Sequence, residues 1–200
     1  MYALTVRQPW AHAIAHLGKD VENRTRAPNR DAVGQRVAIH AGYYYEADED
    51  MLALARIVGV GSLPYRSSFR RGGLVAVATI AGWFKLKGGR VTRSAGGATL
   101  IAEARESRWA AGPCCWVLRD TVALREPVLA SGRQGLWRLD GRQEEALRAA
   151  LEEQGERAPR GVDVGAAAGG PAVVLPGPTV AGPAGVGARA DGEGGRRAGG

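Results

Sequence analysis

The chain has 200 residues, 27 Lys and Arg against 20 Asp and Glu, and a net charge of +7. All twelve aromatic residues lie between Tyr2 and Trp137, whereas residues 155–200 hold 14 Gly, 10 Ala and 5 Pro in 46 positions. Such a segment cannot bury enough apolar surface to offset its ordering entropy, so it is expected to be a disordered tail, which leaves one core near residues 1–140.

In chain order, Tyr2–Val6 alternates as a strand and Pro9 stands where a helix begins, since its missing N–H is an unpaired donor there anyway. Trp10, Ala13, Ile14 and Leu17 follow at helical spacing, and Gly18 suits a C-terminal cap. A polar extended stretch covers 19–26 and a loop 28–34. A strand over 35–41 places Val37 and Ile39 on one side. A second helix is predicted over 47–58, with Met51, Leu52, Ala55 and Val58 as its apolar stripe and Glu46, Asp48, Glu49 and Asp50 favouring its N-terminus. The apolar run 74–80 reads as a strand buried on both faces, 99–109 as a helix, and 115–120 and 135–139 as the last two strands. A possible C-terminal helix over 141–154 has only Leu147 and Leu151 as large apolar residues, so it is expected to pack loosely. Short strands interleaved with few helices predict an α+β fold, a small mixed β-barrel with flanking helices.

Several chemistries are disfavoured. Cys114 and Cys115 are adjacent, so on a strand they face opposite sides and form neither a disulfide nor a metal pair. His12 and His16 have helical i, i+4 spacing but no acid between them and no evident third ligand, so they read as a weakly basic face. No metal or cofactor is expected. The stretch GGLVAVATIAG has glycines on both sides of a strand, the wrong context for a dinucleotide loop. The N-terminus lacks a basic segment followed by an apolar run, and no stretch reaches membrane-spanning length, so a cytoplasmic protein with reduced thiols is expected.

The informative segments are Leu4-Thr-Val-Arg-Gln-Pro-Trp-Ala11 and Gly18-Lys-Asp-Val-Glu-Asn-Arg24. Together with Arg36-Val-Ala-Ile-His-Ala41, the strand at 74–82 and Gly-Leu-Trp-Arg-Leu139, they resemble the ASCH family over about 140 residues. That resemblance implies a PUA-like barrel and an RNA-binding or nucleotide-handling module. Some members are described as hydrolases or nucleases, and one branch is fused to a transcription coactivator. The members that deacetylate acetylated cytidine use a Lys-x-x-Thr arrangement, whereas this chain has Lys19-x-x-Glu22, and a carboxylate does not replace that hydroxyl.

Lys19, Glu22 and Arg24 crowd three ionisable groups into six residues. By strand alternation Asp20, Glu22 and Arg24 share a face, as do Lys19, Val21 and Asn23, so Lys19 and Glu22 are opposed unless a bulge intervenes. Glu22 and Arg24 either face a ligand or form an internal ion pair at the barrel mouth. Gln8 is expected to be exposed to the cleft, and Trp10 either packs in the core with Ile14 and Leu17 or offers a stacking platform to a base. His40 reads as structural or cleft-lining, and Tyr43, with Tyr44 and Tyr45, either stacks on unpaired bases or anchors the next helix. Arg66, Arg70 and Arg71 form one basic loop, and Lys85, Lys87, Arg90 and Arg93 another. The basic domain is predisposed toward polyanions, and the resemblance implies a nucleic-acid partner, most readily RNA, or a nucleobase-containing small molecule. Two other classes stay open. A ribonuclease would need Lys19 for developing charge and Glu22 or His40 as base. A protein-interaction module would make the charge incidental.

Overall fold

The computed structural model describes residues 1–45, 48–59 and 63–155. Eleven elements follow in order: β1 (Tyr2–Gln8), α1 (Trp10–His16), β2 (Val21–Arg24), β3 (Arg36–Tyr45), α2 (Asp48–Val58), β4 (Gly73–Lys87), β5 (Arg90–Ala95), α3 (Ala98–Arg105), β6 (Cys114–Leu129), β7 (Leu136–Arg138) and α4 (Gly141–Glu153). Short 3-10 turns lie at Arg30–Ala32 and Arg66–Ser68. The expected Gly/Ala/Pro tail and the acidic start at Glu46 lie outside the described residues, apart from Gly155.

One mixed sheet holds the molecule, in the order β2-β6-β4-β3-β1-β7, with β5 paired to β4. Among the described residues only β1 and β3 run parallel; the other pairs are antiparallel. The sheet curls without closing: among the described residues β2 and β7, its two end strands, do not pair. The expected barrel is therefore open along one seam.

The apolar run in β4 is buried on both faces because each face of the sheet carries its own core. Ala76, Ala78 and Ile80 join Leu4, Val6, Ile39 and Ile14 of α1 in one cluster. Leu74 and Val77 join Ala3, Trp137 and the Leu147 and Leu151 side chains of α4 in another. The last helix is thus firmly packed, contrary to expectation. Two fully buried leucines contribute about 1.5–3 kcal/mol each. Asp140 forms a capping box with Gln143, and the N-terminal ammonium pairs with Glu144.

A third cluster sits where α1, α2 and α3 meet β2 and β6. It contains Ala13, Val21, Leu54, Phe84, Ile101, Trp109, Cys115 and Val117. The buried face of α2 is Leu54, with Ile57 and Val58 beside it, while Leu52 is exposed. The expected stripe was turned by about one residue, because Leu54, Ile57 and Val58 also satisfy helical i, i+3, i+4 spacing and the core lies on their side. Cys114 and Cys115 enter the first and third clusters, on opposite faces of β6. Burial pushes both thiols above their ordinary range.

The expected basic loop at Lys85–Arg93 is instead a β-hairpin. β4 continues to Lys87, turns through Gly88 and Gly89, both at positive φ, and returns as β5. Two left-handed residues are what a tight hairpin turn requires, and glycine adopts that conformation without steric cost.

Candidate functional site

The open seam holds a cleft of about 560 Å³. One wall is β1 (Thr5, Val6, Arg7) with Gln134 and Gly135 before β7; a second is Lys19–Arg24; α2 and the segment around Trp109 close the rest. Thr5 turns its N–H to the Gly135 carbonyl at 3.1 Å. Its own carbonyl accepts from Arg24 Nη1 at 3.3 Å, so a side chain, rather than a strand ladder, bridges the seam here.

The helix-to-strand corner sets the charged floor. α1 ends as Gly18 takes φ +67°, and the Leu17 and Lys19 N–H groups both donate to the Ala13 carbonyl. Regular strand begins only at Val21, so the alternation that would oppose Lys19 to Glu22 does not reach back to Lys19. The two instead meet: Lys19 Nζ donates to Glu22 Oε2 at 3.0 Å and to the Val21 carbonyl. Lys19 is 3% exposed and Glu22 6%. Glu22 Oε1 lies 3.6 Å from Arg24 Nη1, whose side chain is 26% exposed. One carboxylate thus serves two cations, and Arg24 is the member that reaches solvent.

Aromatic faces surround this floor. Lys19 Nζ lies 5.8 Å from the Trp10 ring centroid and 5.9 Å from that of Trp109, both within cation–π range. Arg24 stands 5.8 Å over Trp116, and Arg108 stands 5.4 Å over Trp109. Trp10 packs partly against two core clusters and also lines the cleft, so it serves both purposes. The lining carries Arg7, Lys19, Arg24 and Arg108 against Glu22 and Asp50, an excess of two positive charges.

Asn23, on the opposite face of β2 from Glu22, holds the Trp109 segment in place. Its Nδ2 donates to the Trp109 carbonyl at 2.8 Å, while its Oδ1 accepts from the Ala111 and Gly112 N–H groups at 3.0 and 3.1 Å. Asp20 adds a 2.5 Å bond from the Ser107 hydroxyl. Trp109, Arg108 and Asn23 were not among the sequence-based candidates. The one sequence signal was Asn23's position inside the Val-Glu-Asn-Arg segment; nothing local ties Trp109 to a strand 86 residues earlier.

The remaining candidates lie elsewhere. Gln8, expected to be exposed to the cleft, is 1% exposed: its amide nitrogen donates to the Arg70 carbonyl at 2.6 Å and its amide oxygen accepts from the His12 N–H at 2.9 Å. A buried amide must find partners, and the loop before β4 and the first turn of α1 supply them. His40 is also buried and away from the cleft lining. Its Nε2 lies 3.0 Å from the Ala130 carbonyl, and its ring stands edge-on to Trp137. Burial lowers its pKa, partly offset by the bond to Ala130. Tyr43 and Tyr44 are exposed at the end of β3. Arg66 pairs with Asp48, Arg70 with Glu126 at 3.4 Å, and Arg71 is exposed; none of the three lines the cleft. The structure thus joins Lys19, Glu22 and Arg24 and separates Gln8, His40, Tyr43, Arg66, Arg70 and Arg71 from them.

The His12 and His16 rings are tilted against each other with centroids 4.7 Å apart, and His12 also abuts Phe69 at 4.9 Å. Burial first, and His16 second, push the His12 pKa down to about 4. Among the described residues no group of three or more His, Cys, Asp or Glu is placed to hold a metal, and no helix is long and apolar enough to cross a membrane.

Among solved structures the chain is similar to a mutant protein of ZmASCH from Zymomonas mobilis. The identity is 16%, the match covers 74% of this chain and 94% of that chain, and the TM-score is 0.41. No family model matches the chain, and no curated protein matches it.

Proposed function

We propose that this chain is an ASCH-type module whose seam cleft binds a nucleobase, presented by RNA or by a free nucleoside. The observation that carries this reading is Arg24: paired on one side with Glu22, bonded to the Thr5 carbonyl, and still partly open to solvent in a cleft that Trp10 and Trp109 also line and that carries excess positive charge. A guanidinium so placed offers planar donors to a base carbonyl or a phosphate, and an indole offers a stacking face. The cleft volume falls within the range common for small-ligand sites. The closed Lys19–Glu22 pair is the floor that aims Arg24, and the rim cations Arg7 and Arg108 add favourable potential.

Deacetylation by a Lys-x-x-Thr mechanism has less support. Thr25 is exposed and outside the cleft lining, and the Thr5 hydroxyl already donates to the Arg133 carbonyl at 2.6 Å.

Titration of intrinsic Trp fluorescence with cytidine, adenosine and a mixed-sequence oligoribonucleotide tests the proposal. Trp10→Leu is expected to weaken binding by about 1–3 kcal/mol, the usual worth of a stacked base. Arg24→Gln is expected to weaken it at least as much. Wild-type affinity in both folded variants would remove the cleft from the binding surface.

A further inference from the structure

The β4–β5 hairpin carries a charge pattern that the fold does not need. Between Asp50 and Glu103 lie 52 residues with eight Lys or Arg and no acid, and four of these cations are on the hairpin. Lys85 is directly opposite Arg93, and Lys87 is opposite Arg90. Directly paired residues project from the same face of an antiparallel ladder, and a register shift between Lys85 and Leu86 gives β5 one extra residue that brings Arg93 onto the face of Arg90, so the four form a compact group, with about 7 Å between Lys85 and Lys87 along β4. Like charges placed opposite one another repel and destabilise the ribbon. No acid compensates them: among the described residues the ion pairs involve none of the four. Lys87, Arg90 and Arg93 are exposed. The other face is different in kind, with Phe84 fully buried in the third core cluster and Leu86 and Val91 packed against it. The hairpin is therefore anchored by one face and presents unneutralised cations on the other.

Its position relative to the cleft follows from strand register. Arg24 of β2 is opposite Cys114 of β6, and Cys114 is opposite Lys85 of β4. Lys85 is in turn opposite Arg93 of β5. Arg24, Cys114, Lys85 and Arg93 thus form one row across four adjacent strands and share a face. Lys85 lies two strand spacings, about 10 Å, from Arg24. From the cleft mouth the cations run across the sheet to Lys85 and Arg93 and then along the hairpin to Lys87 and Arg90 near the turn.

We infer that the β4–β5 hairpin holds the sugar-phosphate backbone of a single-stranded RNA whose base occupies the seam cleft. This rests on the nucleobase reading of that cleft and adds where the rest of the strand runs. Repulsion within the cation group is relieved when phosphates bind, and the group distinguishes a polynucleotide from a free nucleoside, which is too short to reach it. The contacts are to phosphate, so they add affinity and register without base preference.

The test compares three full-length proteins. These are the wild type, a variant with Lys85→Gln, Lys87→Gln, Arg90→Gln and Arg93→Gln, and a charge-matched control with Arg30→Gln, Arg56→Gln, Arg142→Gln and Arg148→Gln. All four control positions are exposed and outside the hairpin. Binding of a mixed-sequence 20-nucleotide RNA is measured across salt concentrations, and binding of cytidine separately. Loss of four phosphate contacts is expected to reduce the slope of log K against log salt by about 3, at about 0.7 per contact on a single strand. The control should lose less than half of that, and cytidine affinity should be the same in all three. A hairpin variant with the wild-type slope, or a control that loses as much, overturns the inference. So does a hairpin variant that loses binding to anionic phospholipid vesicles while keeping RNA. Failure of cytidine to bind the wild type, with the RNA slope still lowered by the hairpin changes, would remove the cleft reading and leave the hairpin assignment standing.

Discussion

Replacing Lys19 by Met leaves the Glu22 carboxylate buried with a single cation, Arg24, at 3.6 Å in place of two. Removing one partner of a buried ion pair costs about 3–5 kcal/mol, because the other charge stays desolvated without compensation. Glu22 keeps Arg24, so Lys19→Met should fall at the low end, about 3 kcal/mol. Glu22→Leu should approach the high end, since Lys19 is then left with the Val21 carbonyl and two indole faces. Arg24 contributes little to that loss, because it keeps solvent and the Thr5 carbonyl. The double variant has no stranded charge, and its cost should be at least about 3 kcal/mol below the sum of the singles. Urea unfolding followed by Trp fluorescence reads these values, and in thermal melts Lys19→Met should lower the midpoint by about 6–12 °C. A Lys19→Met protein within about 1 kcal/mol of wild type, or an additive cycle, would refute the buried-floor assignment. The same proteins separate stability from recognition. Folded Lys19→Met should bind nucleoside more weakly, because Arg24 loses its aim, whereas Arg24→Gln should weaken binding with a smaller loss of stability.

Two further outcomes follow from the core. The His12 pKa is held near 4 in the folded protein, below its ordinary value of 6.5, so between these pH values the unfolded chain binds the extra proton. Stability from this group is fully present above about pH 6.5 and is lost as pH falls toward 4. His12→Gln should flatten that part of the urea-midpoint profile, and an unchanged profile would show that His12 titrates freely. At Gly132 a methyl group would fall on the buried His40 imidazole. Gly132→Ala is therefore expected to cost about 1–3 kcal/mol by overpacking, measured by urea unfolding, and a neutral result would mean that the segment moves aside easily.

What could be read along the chain was what nearest neighbours and short periods decide. Pro9 and Gly18 bracket α1, and the unbroken apolar run at 74–80 had to be covered on both faces. Cys114 and Cys115, adjacent on one strand, had to part. The grouping of Lys19, Glu22 and Arg24 was visible as a cluster, but strand alternation predicted the wrong partner for Lys19, because the turn at Gly18 delays regular strand until Val21. Tertiary structure alone decided three things. Gln8 looked like a cleft residue until the Arg70 carbonyl, 62 positions away, claimed its amide. Trp109 became a cleft wall because Asn23 holds its segment across 86 positions. The cations of the hairpin joined Arg24 in one row only through the register of β2, β6, β4 and β5. Each depends on hydrogen bonds between residues distant in sequence, which satisfy buried polar groups wherever the fold brings a partner within reach. Periodicity records which face of an element is buried, and strand register records what that face meets.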